Sequence, residues 1–402
     1  MKAILLALLI PMAASGGSGP EPSSAALPLE EIRRFAAVFR AVERDFVDEV
    51  DRERLMKAAI RGILSELDPY SEYLEGDALA DLAEETEGAY VGVGIELVQR
   101  EDGRIGVLAA IDGGPAARAG VRPGDVLAAI DGVGVPPGSG IDLVVARLRG
   151  AVGSEVGLTL ERENHEGTLM VRLKRERIRI ESVRAQALPD GVAYLRISQF
   201  QADTARELRR AVERLVRRLG RMPSAAIIDL RNNPGGLLPS AVEVADLFLD
   251  GGVVVKVVGR NPVHTAEFSA SPGDLLDGRP IVVLIDLGTA SAAEIVAAAL
   301  RDHGRARLLG QPSFGKGSVQ TLLPLSEREA IKLTTARFHA PSGRPLDGRG
   351  LEPDQRIELA RGASGFGIEA DPAVAAALAW IASSARMHQD AAGGEKRSKR
   401  GG

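Results

Sequence analysis

A serine and a lysine occupy two turns in the last third of the chain. Ser291 follows the apolar run Ile281–Ile285 and precedes an apolar helical pattern, and Lys316 lies between Gly315 and Gly317. A serine at a strand-to-helix turn can expose a nucleophilic hydroxyl group. A buried lysine that has lost its proton can act as the base for that hydroxyl. The two residues together predict a serine hydrolase that uses lysine where better-known enzymes use histidine.

The amino-acid usage draws attention to Lys316, although an ordinary loop lysine is the simpler interpretation of a Gly-Lys-Gly turn. The chain has 50 basic residues, of which only eight are lysines. Arginine keeps its proton in proteins, whereas lysine can lose it. A lysine in this turn is therefore a candidate general base.

Ser291 also has a purely structural interpretation. Ser291 and Glu294 match the Ser-x-x-Glu capping box that begins a helix. A triad with Asp302 and His303 is disfavoured, because these residues lie at the far end of the predicted helix, roughly 15 Å from Ser291 at the usual helical rise. Lys316 lies on a loop that is free to return toward Ser291, and the neighbouring motifs favour a nucleophile over a cap.

The sequence Asp-Leu-Arg-Asn-Asn-Pro-Gly-Gly-Leu spans residues 229–237, between an apolar strand and a helix. Paired glycines before a helix can present backbone N–H groups to a developing negative charge. The same residues also make an ordinary turn. The motif by itself leaves both interpretations open.

Short strands separated by glycine and proline fill residues 90–175, with one helix at residues 141–148. This segment resembles a PDZ domain, most clearly in Gly-Gly-Pro-Ala-Ala-Arg-Ala-Gly at residues 113–120 and in the Arg-Pro-Gly-Asp that ends at Asp125. Glycines in its first loop can let backbone N–H groups converge on a C-terminal carboxylate, although they could also serve only a tight turn. The candidate peptide-binding residues are Tyr90, Val91, Gly92, Val93, Gly94 and Ile95.

The composition excludes several classes of protein. The net charge of −5, the pI near 5.8 and an aromatic content of 3% argue against nucleic acid as the main partner. The chain has no cysteine, which excludes disulfides and thiolate chemistry. The five histidines show no spacing typical of metal ligands. We therefore expect neither a metal ion nor another cofactor.

The pattern along the chain predicts an α/β multidomain protein. Residues 1–16, with Lys2 before an apolar stretch, are typical of a signal peptide and indicate export to the periplasm or the extracellular space. The alternative is an uncleaved N-terminal segment that keeps the protein associated with the membrane. The expected segments are a linker at 17–28, an N-terminal helical region at 29–85, a PDZ domain at 86–176, an α/β core at 177–360, and a C-terminal helix with a basic, disordered tail at 361–402. Within the helical region, the turn at 68–74 is expected to lead back into a helix.

From about residue 30 to 360 the chain resembles the carboxyl-terminal processing peptidases of the tail-specific protease family. The resemblance rests on Asp-Pro-Tyr-Ser at 68–71, the PDZ segment, the Pro-Gly-Gly turn, Thr-Ala-Ser-Ala-Ala-Glu at 289–294, Phe-Gly-Lys-Gly-Ser-Val-Gln at 314–320, Lys-Leu-Thr at 332–334 and Gly-Leu-Glu-Pro-Asp at 350–354. It implies an endopeptidase with a crotonase-like α/β serine protease core and PDZ recognition of substrate C-termini.

The resemblance also implies roles for individual residues. The nucleophile is Ser291, the base is Lys316, and Gln320 orients the lysine. The oxyanion donors are the backbone of Ala292 and a glycine of the Pro-Gly-Gly turn, with Gly236 favoured and Gly235 left open. Asp302 matches an acidic residue that supports the site.

One departure from the family pattern is Ala293, which stands where the family has a second serine. If that second serine were the nucleophile, this chain would be an inactive peptide-binding scaffold, and that alternative is retained. A crotonase-type acyl-CoA enzyme is a further rival, which the signal peptide opposes. The expected partners are proteins or peptides with exposed C-termini, and both a regulatory adaptor and a homo-oligomer remain open.

Overall fold

The computed structural model describes residues 28–100, 102–111, 113–163, 165, 167–179, 181–357 and 371–384. The predicted signal peptide, nearly all of the predicted linker and the basic tail lie outside these residues. The chain divides into two compact units, one formed by Met1–Leu82 with Ser182–Gly402 and the other by Ala83–Glu181. Within the described ranges, no helix combines the length and apolarity needed to cross a membrane.

The elements are as follows in chain order. The helices are α1 (Leu29–Asp45), α2 (Arg52–Ser65), α3 (Asp77–Glu87), α4 (Pro115–Arg118), α5 (Ile141–Leu148), α6 (Thr204–Leu219), α7 (Leu238–Asp246) and α8 (Ala292–Asp302), followed by a C-terminal helix at residues 372–384. The strands are β1 (Glu72–Glu75), β2 (Ala89–Gly92), β3 (Ile95–Gln99), β4 (Ile105–Ala110), β5 (Val126–Ile130), β6 (Val133–Gly134), β7 (Glu155–Glu161), β8 (Thr168–Lys174), β9 (Glu176–Arg179), β10 (Val183–Ala187), β11 (Ala193–Ile197), β12 (Ala226–Asp229), β13 (Gly252–Gly259), β14 (Ala266–Ala270), β15 (Ile281–Ile285), β16 (Ala306–Gly310), β17 (Ser318–Pro324), β18 (Glu329–His339) and β19 (Gln355–Arg356).

The larger unit is built on a six-stranded sheet in the order β10-β11-β12-β15-β16-β19. Five strands of this sheet run parallel to one another: β11, β12, β15, β16 and β19. The sixth, β10, pairs antiparallel with β11. Every residue of β12 and β15 is buried, as expected for central parallel strands that are covered on both faces. The predicted α/β core is therefore present.

Helices cover both faces of this sheet. On one face α6, α7 and α8 join its strands in a single apolar cluster, and on the other Ala373, Val374, Ala377 and Ile381 of the C-terminal helix pack on alternate strand residues. The amphipathic pattern of α6 buries Leu208, Val212 and Leu215 along one stripe. All residues of α8 from Ala292 to Leu300 are buried, so this helix is fixed on every side.

A second sheet of five strands has the order β1-β18-β13-β14, with β17 also paired to β18. The expectation that the turn at 68–74 leads straight back into a helix is wrong, because β1 pairs with β18 from Glu72 to Glu75 before α3 begins. The turn is closed by Asp68, whose carboxylate accepts hydrogen bonds from the backbone N–H groups of Tyr70 and Ser71. The N-terminal segment therefore supplies an edge strand to this sheet.

The first two helices carry apolar side chains on exposed surfaces. No residue of α1 is buried, and its Ile32, Phe35 and Val38 are exposed, as are Met56 and Ile63 of α2. Asp51 begins α2 by accepting hydrogen bonds from the N–H groups of Glu53 and Arg54, a regular N-cap.

The smaller unit is an antiparallel sheet, β3-β4-β5-β7-β8 with β6 on β5, closed over one apolar cluster to which Val144 and Leu148 of α5 contribute. The short strands expected between residues 90 and 175 are present, and α5 has the predicted bounds. A separate two-stranded pair joins β2 to β9. The compact unit spans residues 83–181, whereas the PDZ domain was predicted at residues 86–176.

Candidate active site

Ser291 lies at the first turn of α8 in a conformation that is unusual for a side chain larger than glycine. Its φ is +55° and its ψ is −118°, and such strain has a typical cost of about 1–3 kcal/mol. The preceding loop is held in place because Thr289 donates its hydroxyl to the carbonyl of Leu230, and Ala290 N donates to the carbonyl of Asn233. The serine is completely buried.

The hydroxyl of Ser291 does not cap the helix. The backbone N–H of Ser291 donates to Glu294 Oε2 over 2.9 Å, which is the glutamate half of a capping box. The Ser291 Oγ atom has no hydrogen-bond partner among the described residues. Only the backbone of this serine takes part in helix capping, and its hydroxyl remains available to act as a nucleophile.

Glu294 joins Ser291 to the lysine loop. Its Oε2 accepts from Lys316 N as well as from Ser291 N, each over 2.9 Å, so the two amide nitrogens lie within two hydrogen-bond lengths of each other. Its Oε1 accepts from Gly315 N and from the Ser313 hydroxyl. Burial raises the pKa of Glu294 against the lowering effect of these four donors.

The side chain of Lys316 is enclosed in the same cluster. It is fully buried, and its Nζ lies 4.6 Å from the centre of the Tyr70 ring. Burial and then the positive charge of Lys332 lower the pKa of Lys316 to about 8, against the raising effect of Asp68, Glu72 and Glu294. An amine with this pKa is a usable base near neutral pH.

Gln320 lies in β17, four residues after the lysine. Its Nε2 donates to Ser318 Oγ over 2.9 Å and to Thr334 Oγ1 over 3.0 Å. Its Oε1 is buried and has no hydrogen-bond partner in the described part of the chain. The amide is thus fixed through its nitrogen, which leaves the oxygen as the atom that could orient an ammonium group.

The Pro-Gly-Gly turn touches the serine. A Cβ atom on Gly235 would lie 2.8 Å from Ser291 Cβ and 3.0 Å from Ala292 N. The Gly235 N–H is already used by Asn233 Oδ1 over 2.9 Å. In contrast, the N–H groups of Ala292 and Gly236 donate to no described residue. The structure therefore leaves available the pair of oxyanion donors that the sequence favoured.

A buried ionic cluster fixes the segment that carries this turn. The Arg231 guanidinium binds the carboxylates of Asp229 and Asp371, and Tyr194 donates its hydroxyl to Asp229 over 2.7 Å. Asp371 also accepts from the N–H of Ala373 at the start of the C-terminal helix. The turn is consequently tied to the sheet and to that helix.

The structure does not bring Asp302 to this cluster. It lies at the opposite end of α8, where it accepts hydrogen bonds from the backbone and hydroxyl of Ser342 and pairs with Arg301. Ala293, the departure from the family pattern, packs in the apolar core beside the sheet. The side chain at position 293 therefore faces the core.

In the smaller unit, five of the six predicted peptide-binding residues line one cavity of about 280 Å³. These are Tyr90, Gly92, Val93, Gly94 and Ile95, and the opposite wall is formed by Val145, Leu148 and Arg149. The N–H groups of Val93 and Gly94 donate to no described residue. The sixth residue, Val91, is not among the lining residues, and its N–H donates to Glu84.

Sequence reasoning missed three contributors to the core site. Glu294 was interpreted only as a capping residue. Tyr70 and Lys332 were noted only within the motifs that carry the family resemblance. The Asp-Pro-Tyr-Ser motif was the available signal for Tyr70, but only the folded chain shows its ring against Lys316 Nζ.

In the described part of the chain, the α/β core holds a buried amine, a serine hydroxyl without a partner and two backbone N–H groups without a partner. This combination is typical of a serine-type peptidase. The sequence matches peptidase family S41 over residues 191–357, the PDZ domain over 106–162, and the N-terminal domain of the activating protease CtpB over 14–78. It is 39% identical over 358 residues to the carboxy-terminal-processing protease of Bartonella bacilliformis, covering 88% of this chain and 80% of the relative. The chain belongs to the carboxy-terminal-processing proteases of family S41.

Similar folds occur among solved structures. A candidate S41 protease from Bacteroides fragilis shares the fold, with a TM-score of 0.52 at 16% identity, covering 86% of this chain and 97% of that one. The photosystem II D1 C-terminal processing protease is 30% identical with a TM-score of 0.47, covering 82% and 93%. Among sequence relatives, a probable CtpA-like serine protease from Staphylococcus aureus (strain COL) is 35% identical over 81% of this chain, which spans 65% of that protein's length.

Proposed function

We propose that this chain is an exported serine endopeptidase that cleaves proteins near or from their C-termini, with Ser291 as nucleophile and Lys316 as base. The observation that carries the proposal is the buried Ser291 hydroxyl, which has no partner among the described residues and belongs to the cluster that encloses Lys316. Export rests on the signal-like residues 1–16.

The reaction starts when neutral Lys316 takes the proton of the Ser291 hydroxyl as its oxygen attacks a peptide carbonyl. The Ser291 Oγ and the Lys316 Nζ are not hydrogen-bonded to each other in this structure. For the proton transfer, the Lys316 Nζ must come within hydrogen-bond distance of the Ser291 Oγ. The resulting ammonium then donates to Gln320 Oε1, four residues farther along the chain. Lys316 then donates its proton to the leaving amine, and the same group activates the water that releases the acyl-enzyme.

The oxyanion of each tetrahedral intermediate is stabilised by the N–H groups of Ala292 and Gly236. Backbone donors that have no other partner lose no hydrogen bond when they bind the developing charge. Gly235 serves by close packing, because any Cβ atom there would collide with Ser291.

The PDZ cavity is proposed to hold the substrate's C-terminus. The N–H groups of Val93 and Gly94 would bind the terminal carboxylate, and the apolar wall formed by Val145 and Leu148 would accept an apolar final side chain. We expect the cavity to bind the last few residues of a tail in an extended conformation, because strand addition uses alternate side chains of an extended segment.

The test is proteolysis of an unfolded protein with an apolar C-terminal tail, by wild type and by folded Ser291→Ala and Lys316→Ala. Both substitutions should reduce cleavage by at least about a thousandfold. The matched control is Ser240→Ala, which removes another buried hydroxyl without a partner in the described chain and should leave cleavage unchanged.

Two outcomes would contradict the proposal. Cleavage that survives Ser291→Ala would mean that the nucleophile is elsewhere. Tail binding by a wild-type protein that cleaves no tailed substrate would favour the alternative, an inactive scaffold that binds peptides.

A further inference from the structure

A second buried lysine lies in the strand that also carries Thr334, the hydrogen-bond partner of Gln320. Lys332 is in β18, and its side chain is only 7% exposed. Its Nζ forms an ion pair with Glu72 of β1, the residue directly opposite in the antiparallel ladder. No role in the proposed mechanism requires a second ammonium group at this position.

The strand geometry places Lys332 on the face of the sheet that carries the site. Lys332 and Thr334 are two residues apart in β18, so their side chains project from the same face. Thr334 accepts the hydrogen bond from Gln320 Nε2, and the two residues are directly paired. The Thr334 N–H donates to the hydroxyl oxygen of Ser71, the neighbour of Tyr70.

The two charged groups of the Lys332–Glu72 pair differ in their exposure to solvent. The ammonium end is buried, whereas the Glu72 side chain is 49% exposed. Water screens an exposed charge more strongly than a buried one, so Glu72 only partly cancels the field of Lys332 inside the protein. A net positive field remains on the side of the pair that faces the interior.

Charged groups from several elements surround Lys316. Asp68 in the turn before β1, Glu72 in β1 and Glu294 in α8 favour its charged form, and Asp347 after β18 acts on the neighbouring Tyr70. Lys332 is the cation that opposes these carboxylates. A neighbouring cation is an established way to keep a lysine neutral and reactive.

We propose that Lys332 is a positioning residue for the Lys316 base: its buried ammonium, anchored by Glu72, disfavours a second positive charge and keeps the Lys316 amine available to accept a proton. The inference rests on the proposed function in that Lys316 is taken to be the base. A pair that served only to hold β1 against β18 would have no effect on the protonation of Lys316.

The test is direct titration of Lys316 in the full chain, with ¹³C at the lysine Cε atoms. Only eight lysines contribute signals, and Lys316→Arg identifies the signal of interest. Lys332→Met should raise the pKa of Lys316 by about one pH unit, because a like charge is removed. Glu72→Gln should lower it, because that substitution removes a carboxylate and leaves Lys332 uncompensated.

Two control variants separate tuning from structure. Lys332→Arg keeps the positive charge and should leave the pKa of Lys316 unchanged. Lys256→Met removes the lysine of another cross-strand Lys–Glu pair in the same sheet, with Glu267, and should also have no effect. If Lys332→Met does not fold, Lys332→Gln takes its place, because glutamine removes the charge but can still donate a hydrogen bond to Glu72, and it should raise the pKa of Lys316 in the same way.

The same variants are then assayed for the pH dependence of kcat. A Lys316 titration that is unchanged in Lys332→Met, or that moves in the same direction in Lys332→Met and Glu72→Gln, would overturn the inference and leave the proposed function intact. A titration that moves as expected while the kcat profile stays fixed would support the tuning and instead overturn Lys316 as the base.

Discussion

The two units of this protein each contain a pair of backbone N–H groups that have no partner in the described chain. In the smaller unit the pair belongs to Val93 and Gly94 and lines an open cavity. In the larger unit the pair belongs to Ala292 and Gly236 and lies around a fully buried serine. Each pair is proposed to bind an anion, but the surroundings of the two pairs differ.

The difference in burial suggests that the two pairs of donors act at different stages of the reaction. A substrate carboxylate is a stable anion, so donors in an open cavity lower the free energy of the bound ground state and act on KM. An oxyanion exists only in the transition state and the intermediates, so donors beside the nucleophile act on kcat. The comparison therefore predicts that variants in the two units change different kinetic constants.

Gly235→Ala should have the largest effect on the larger unit. The new Cβ atom would collide with Ser291 Cβ and Ala292 N, at a backbone φ of +107°, and would displace the core donors. We expect kcat to fall by about 10²–10³-fold, the usual effect of losing one oxyanion donor, with KM and tail-peptide affinity unchanged. Steady-state kinetics and calorimetry measure the two effects separately.

The control for that variant is Gly220→Ala. Gly220 also has a left-handed backbone, at the end of α6, but a Cβ atom added there would meet no other atom within 4 Å. We expect a loss of about 1 kcal/mol in the free energy of unfolding and no change in kcat. A similar kcat loss in both variants would show that backbone strain, and not contact with Ser291, causes the effect.

Glu294→Gln should have the next largest effect. The carboxylate accepts two hydrogen bonds on each oxygen, whereas the amide nitrogen of glutamine would face donors. We expect kcat to fall about a hundredfold through displacement of Ser291 and Lys316, together with a loss of about 1–3 kcal/mol in stability. An unchanged kcat in a destabilised but folded variant would restrict Glu294 to a structural role.

The pH dependence of kcat gives a smaller and graded effect. In the proposed mechanism the neutral amine of Lys316 is the active form, and the pKa of this amine is lowered to about 8. Rates should therefore fall about tenfold per pH unit below 8 and reach a plateau above it. Tail binding in the other unit should be flat over the same range, and a flat kcat profile would exclude Lys316 as the base.

Much of the fold followed from the sequence because apolar runs and periodic patterns report directly on burial. The apolar run Ile281–Ile285, which is a fully buried strand, is an example. The strands β17 and β18 were not predicted, and the reason is functional. Their buried positions include the polar residues Ser318, Gln320 and Lys332, which face the site, so apolar alternation is absent where the chemistry is proposed.

The candidate site was predictable only in part for a similar reason. Local motifs indicated Ser291 and Lys316, and they indicated that Glu294 begins a helix. The link between Glu294 and the N–H of Lys316 joins residues that are far apart in sequence, and no local pattern encodes it. Asp302 was assigned a supporting role only by its match to the family, and it lies at the end of α8 away from Ser291, as its position along the helix predicted, where it accepts a hydrogen bond from Ser342.

Val145→Asp in the smaller unit should have the smallest effect. Val145 lines the cavity opposite the N–H pair, so a new carboxylate there would repel a bound C-terminus without altering the core site. We expect tail-peptide affinity to weaken about tenfold, equivalent to about 1.4 kcal/mol, and KM for tailed substrates to rise with kcat unchanged. Val152→Asp, at an exposed residue of the same unit that does not line the cavity, should change neither constant. A fall in kcat for Val145→Asp, with KM unchanged, would mean that the two pairs of donors are not used independently and that occupancy of the open cavity controls the buried one.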